Sequence, residues 1–228
     1  MAADYKQMLQ NIRQFYSFSG KKVLAVGAGN GPLTDLVLES RKLIVIDKDP
    51  AAIRFWKAKT AAEGLQDRVD VIQADFFETS SHGDVVYFEF CLHEMNDPGQ
   101  ALRHALTLAP EVLIFDHLPD SEWAFHAAEE DKVRRSTDAL ADFACTRHEE
   151  FRTEQRFPEY RQFVERVSCQ GEVALERAER YRGVADIAIP MTYGLTLLDS
   201  EASLSTMGSM HMKKTIQQKH ASRSNKNQ

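Results

Sequence analysis

In the first half of the chain, short unbroken apolar runs alternate with stretches of helical period. "KKVLAV", "KLIVID", "VDVIQAD", "GDVVYFEF" and "EVLIFDH" each read as a buried strand of six to eight residues. Ahead of the first run, "DYKQMLQNIRQFYSF" carries Tyr5, Met8, Leu9, Ile12, Phe15 and Tyr16 at helical spacing, which predicts a helix over 4–18 that stops at Gly20. Between the runs, "PLTDLVLES", "PAAIRFWKAKTAAEG" and "DPGQALRHALTLAP" read as helices. Pro32, Pro50 and Pro98 sit in their first turns, where a missing N–H costs nothing. Continuous apolar strands alternating with helices predict an α/β fold: a doubly wound, mostly parallel sheet covered on both faces.

After "EVLIFDH" the pattern changes. Residues 119–167 show no good strand, and "DSEWAFHAAEEDKVRRSTDALADFAC" and "FPEYRQFVERV" predict a helical insert over about 119–167. Trp123, Phe125, Val133, Leu140 and Phe143 would form its apolar stripe, either as ordinary packing or as a lid. "EVALERAERY", a turn at Gly183 and "ADIAIPMTYGLTLL" predict an antiparallel C-terminal hairpin, with Pro190 marking a weak point or a bulge. The hairpin brings the strand count to seven. Residues 1–199 are expected to form one domain. Residues 200–228 lack apolar periodicity and include "GSMHM", which resembles a cloning junction, so a disordered or added tail is expected there.

Charge narrows the partners. Residues 211–228 carry five basic side chains and no acid, so the formal charge of −6 divides into +5 there and −11 on the rest. An acidic body disfavours duplex nucleic acid. The three cysteines, Cys91, Cys145 and Cys169, are too scattered for a disulfide framework or a metal-binding pair, so no metal is expected. With no signal-like start and no apolar run long enough to span a bilayer, the composition reads as a cytoplasmic protein with no membrane contact.

The candidate chemistry begins at "VLAVGAGNGP", residues 23–32. Its spacing is Gly27-x-Gly29-x-Gly31, and Pro32 stands where a dinucleotide loop would place its third glycine. Acids follow at the ends of the next two strands, Asp47 and Asp75. This order of glycine loop, acids and closing hairpin resembles the class I S-adenosylmethionine-dependent methyltransferases over about residues 20–198, which implies a Rossmann-like sheet.

The resemblance assigns roles. Gly27, Ala28, Gly29 and Gly31 would let the backbone approach the cofactor S-adenosyl-L-methionine closely. Asp47 would accept from the ribose hydroxyls, and the Lys48 stem would lie over the adenine. Asp75 and Phe76 would read the adenine edge. The first strand lacks the family's frequent acid and has Ala25 there, so Glu89 is the candidate for the cofactor's amino group.

"FEFCLHEMNDP", 88–98, is similar to the segment after strand four in small-molecule methyltransferases. There His93 would be the general base or a loop-packing residue, with Glu94 and Asp97 matching the acids. His117 is a second substrate-side candidate beside Asp116, Cys91 reads as buried and inert, and Arg134-Arg135 reads as a solvated pair or an anion site. The expected partner is a small-molecule methyl acceptor, methylated on oxygen, with nitrogen or sulfur open. A nicotinamide-dependent oxidoreductase, weakened by Pro32, and a non-catalytic cofactor-binding protein of the same fold are the alternatives.

Overall fold

The computed structural model describes residues 5–29, 31 and 39–200. In chain order they form α1 (Tyr5–Phe15), β1 (Lys22–Val26), β2 (Lys42–Asp47), α2 (Pro50–Ala62), β3 (Val69–Gln73), β4 (Val85–Glu89), α3 (Pro98–Leu108), β5 (Glu111–His117), α4 (Glu122–His126), α5 (Glu130–Leu140), β6 (Cys145–Glu159), α6 (Tyr160–Val167), α7 (Glu172–Ala178) and β7 (Ala185–Asp199). The helix expected over 32–40 and the tail from 201 onward fall mostly or wholly on residues outside this set.

One seven-stranded sheet runs in the order β3-β2-β1-β4-β5-β7-β6. The first five strands are parallel; β7 is antiparallel to both β5 and β6. Alternation along the strands divides the core. Ala25, Val45, Tyr87 and Leu113 pack on the face that holds α1 and Trp56 of α2. Leu24, Val26, Ile44, Ile46, Val86, Phe88 and Ile114 pack on the face that holds α3. This is the expected signature of a sheet buried on both sides. Asp49 and Asp97 cap α2 and α3 with side-chain bonds to the Ala51 and Gln100 amides, and Pro50 and Pro98 hold the first helical positions.

Two expectations for the second half need correcting. Residues 145–159 are not part of a helical insert; β6 interrupts the helices after α5, and helix resumes at Tyr160 with α6. The hairpin partner of β7 is this β6, while "EVALERAERY" forms α7 and a short 3-10 turn, Glu179–Tyr181. The physical reason is visible in β6, "CTRHEEFRTEQRFPE". It is a sheet edge, exposed along most of its length, and its charges face outward on both sides. It therefore carries no period-two apolar signal, and its long polar sequence serves as protection against edge pairing.

Opposite β5, β7 uses only Tyr193–Asp199; its first half pairs with β6 alone. That two-stranded ribbon rises beyond the carboxyl end of β5. Pro190 sits in the ribbon opposite Glu154, where β7 has a partner on one side only, so the missing N–H is tolerated without a bulge. Ile187, Ile189, Met191 and Phe157 of the ribbon join Trp123 and Phe163 in one buried cluster. Helix and ribbon together roof the carboxyl end of the sheet.

Candidate active site

The strand order reverses between β1 and β4, and a cleft of about 340 Å³ opens at the carboxyl ends of these strands. Open α/β sheets place ligands at such a switch point. The loop after β1 enters the cleft through Gly27, whose φ is 61°. A Cβ there would lie 2.9 Å from the Cys91 Cβ, so both the backbone angle and the close approach demand glycine. Gly29, with φ 50°, donates its amide to Asp47 Oδ2 at 2.9 Å. Asp47 Oδ1 accepts from the Asp49 amide at 2.8 Å, and the Trp56 indole holds the Gly29 carbonyl at 3.0 Å. The acid at the end of β2 thus fixes the glycine loop and still presents carboxylate lone pairs at the cleft wall.

Gly27, Asp47, Lys48, Asp75 and Phe76 all line this cleft, joined by Phe77. Asp75 caps a 3-10 turn, Phe76–Glu78, and accepts from the Phe77 amide at 3.0 Å. Phe76 is buried against Phe88 and His104 rather than lying open. Ala28, Gly29, Gly31 and Glu89 stand behind the lining. A Cβ on Gly31 would meet the Ala28 carbonyl at 3.0 Å and Glu89 Oε1 at 3.3 Å, so loop and acid are in contact. Glu89 keeps some exposure as a residue, but its carboxyl group is packed in closely. Burial pushes it up to about 7 against the lowering effect of the Tyr87 hydroxyl.

A second constellation adjoins the cleft. Phe90 turns the chain sharply after β4 with φ 48°, a left-handed backbone that costs a bulky residue roughly 1 kcal/mol or more. Its amide bonds the Phe115 carbonyl at 2.7 Å, and its ring packs on Phe115 and His117. The turn delivers His93 to Asp116 of β5. The His93 amide bonds Asp116 Oδ2 at 3.0 Å, and Nδ1 meets Oδ1 at 2.5 Å. Oδ1 also accepts from the His117 amide at 2.8 Å. His93 is 2% exposed. Its Nε2 faces Glu94 Oε1 at 3.6 Å and Glu129 Oε2 at 3.7 Å. Glu94 also lines the cleft, so the imidazole lies just behind the cleft wall.

Burial disfavours the charged imidazole, but the Asp116 hydrogen bond and charge, with Glu129 and Glu94, outweigh it and raise the His93 pKa. His117 goes the other way: burial pushes it down to about 4, so it is neutral at pH 7, and its Nδ1 has no partner. The sequence did not single out Glu129, which lies on the turn between α4 and α5. Only the acidic run "HAAEED" hinted at it.

Cys91 is buried, its thiol bonded to the Val26 carbonyl and pushed up by burial, as expected of an inert cysteine. Arg134 pairs with Asp131 on an exposed helix face, and Arg135 is exposed beside it, away from the cleft lining. Val133 and Phe143 are buried packing residues, whereas Phe125 is exposed under the Arg177 guanidinium.

Residues 24–110 match the family described as Methyltransferase domain. A phenazine O-methyltransferase from Lysobacter antibioticus is 34% identical over 131 residues, which cover 53% of this chain and 38% of that protein. Over this segment the chain resembles the class I S-adenosylmethionine-dependent methyltransferases. The match spans well under two thirds of that relative's own length. A solved structure from Bacillus halodurans overlays with a TM-score of 0.64 at 13% identity, covering 85% of this chain and 99% of that one. Geranyl diphosphate C-methyltransferase from Streptomyces coelicolor, solved with S-adenosyl-L-homocysteine, overlays with a TM-score of 0.57 at 11% identity, covering 86% and 79%. These two overlays show the fold. Among the described residues no helix is long and apolar enough to cross a membrane.

Proposed function

We propose that this protein is a methyltransferase that transfers a methyl group from S-adenosyl-L-methionine to a small-molecule acceptor, on oxygen, with His93 as general base. The observation that carries the reading is the Asp116–His93 pair, whose outward nitrogen lies behind Glu94 at the cleft wall. The cleft fits the cofactor. Glycine is required where the backbone must approach closely, and a carboxylate ends β2. The cofactor supplies a methyl group on a positively charged sulfur.

Gly27, Ala28, Gly29 and Gly31 would hold its methionine and ribose portions, and Asp47 its ribose hydroxyls. Lys48 would cover the adenine with its methylene stem, while Asp75 and Phe76 read the ring edge. Glu89 would face the ammonium group. With Asp116 fixing Nδ1–H, the lone pair stays on Nε2, where it can take the acceptor's hydroxyl proton. The imidazolium so formed is stabilised by Asp116. His117 stays neutral and adds no competing charge. Roof and ribbon exclude water and align the acceptor, which matters more for methyl transfer than strong acid catalysis.

Residues 1–199 act as one domain in this reading, with 119–143 and the β6–β7 ribbon as the acceptor cap. A cytoplasmic, non-nucleic-acid role fits the acidic body. The test is calorimetric titration with S-adenosylhomocysteine and with NAD, followed by an acceptor screen of phenols, amines and thiols. Binding of NAD alone would reject the assignment.

A further inference from the structure

Three carboxylates surround His93, and two of them have full sets of partners. Asp116 is held by the His93 ring and by the His93 and His117 amides, and Glu94 receives the Lys132 ammonium at 2.8 and 2.9 Å. Glu129 is different. It is 5% exposed, and among the described residues it has no lysine or arginine within ion-pair distance. Its Oε1 is held by the Gln170 amide at 2.7 Å, which aims Oε2 at His93 Nε2, 3.7 Å away. Burial, first, and the neighbouring Glu94 carboxylate push Glu129 up to about 7, with His93 and Lys132 opposing. When ionised, a carboxylate so placed has no lysine or arginine of its own, and an uncompensated buried charge is costly.

An acceptor atom that surrenders its proton to Nε2 must come within about 2.9 Å of it. It then lies beside Glu129, and so does whatever the acceptor carries next to that atom. We propose that Glu129 is a specificity-determining residue. It selects acceptors that bring a hydrogen-bond donor or a positive charge beside the methylated atom, and it rejects those that bring a carboxylate or phosphate there. The inference rests on the methyl-acceptor reading of this site. Like charges about 5 Å apart in a poorly solvated site suppress binding roughly tenfold or more.

The test compares binding of 2-(aminomethyl)phenol, 2-methylphenol and 2-hydroxyphenylacetate to the full chain saturated with S-adenosylhomocysteine, read by ligand-observed NMR titration at pH 8, where Glu129 is largely ionised. The cation and the neutral phenol are expected to bind at least about tenfold tighter than the anion. Glu129→Gln keeps the shape and the Gln170 bond but removes the charge, and should bring that ratio near one. Unchanged homocysteine-analogue affinity reports that the variant is folded. An anion that binds the wild type as well as the neutral phenol overturns the proposal, as does a ratio that Glu129→Gln leaves intact. The expected binding order without any methyl transfer would leave selection by Glu129 standing and overturn only the role of His93 as base.

Discussion

The cleft at the strand ends and the roof above it are built on opposite terms. The cleft is made of backbone: glycine angles, amides on Asp47, and short turns at the ends of parallel strands. The roof is made of side chains: Trp123, Phe157, Phe163, Ile187, Ile189 and Met191 in one apolar cluster, with a buried polar constellation beneath. The first depends on a few residues that no other type can replace. The second depends on shape and can be redrawn while the sheet stays the same. A fold that holds its donor rigidly and its acceptor adaptably can serve many acceptors.

The largest expected effect lies where the two regions meet. His93→Gln keeps a polar side chain but removes the base, and turnover on the true acceptor should fall by roughly 10²–10⁴. Affinity for S-adenosylhomocysteine should hardly move. The wild-type rate should rise with pH through a pKa above 6.5, since the Asp116 pairing raises it, and that limb should vanish in the variant. The sign is fixed by chemistry: a base works unprotonated, so a raised pKa moves activity to higher pH. A variant with its pH limb intact would make His93 a packing residue.

Next comes the roof. Ile189→Ala opens space in a cluster where that side chain is fully buried and should cost about 2–4 kcal/mol of stability, measured by denaturant unfolding. Arg152→Ala, on the exposed flank of β6, should cost within about 0.5 kcal/mol. Equal effects from the two would mean that the ribbon is held by its surface charges and not by its buried face. Cofactor affinity should survive both changes if roof and cleft are separable.

This contrast also explains what the sequence made legible. β1 to β5, α2, α3 and the switch-point acids could all be read, because buried parallel strands are continuous apolar runs and capped helices begin with Asp-Pro. β6 could not be read. An edge strand draws its stability from the partner's backbone and needs no apolar pattern of its own, so "CTRHEEFRTEQRFPE" looked like helix or loop. The site divides in the same way. Gly27 and Asp47 carry local signals, whereas the Asp116–His93 contact joins residues twenty-three apart on neighbouring strand ends. Neighbouring strand side chains point to opposite faces, so Asp116 is not expected to contact the His117 side chain, but only the fold gives Asp116 to His93. Glu129 depends on the roof and was out of reach.

A smaller effect tests the cleft's own economy. Asp47→Ala removes the acceptor that braces Gly29 and would hold the ribose, and should weaken S-adenosylhomocysteine binding by roughly 1.5–3 kcal/mol. Calorimetric titration decides it, and an unchanged dissociation constant in a folded variant would move the ribose elsewhere.

The smallest effect is a fraction of a proton at Glu89. With its pKa raised to about 7 by burial, Glu89 is about half protonated at pH 7 in the free protein. An ammonium group arriving beside it favours the carboxylate, so its pKa falls and the proton is released. Binding of S-adenosylhomocysteine at pH 7 should therefore liberate up to about half a proton. The release should shrink at pH 8.5, where the carboxyl group is already ionised, and approach one at pH 6 if the bound-state pKa drops well below that. Calorimetry in buffers of different ionisation enthalpy measures it directly, since the apparent heat shifts in proportion to the protons exchanged. Glu89→Gln should abolish the dependence while Asp47→Ala keeps it. Proton uptake on binding, or an exchange that Glu89→Gln leaves unaltered, would take the ammonium away from Glu89. The cleft would then have to supply that charge from another wall.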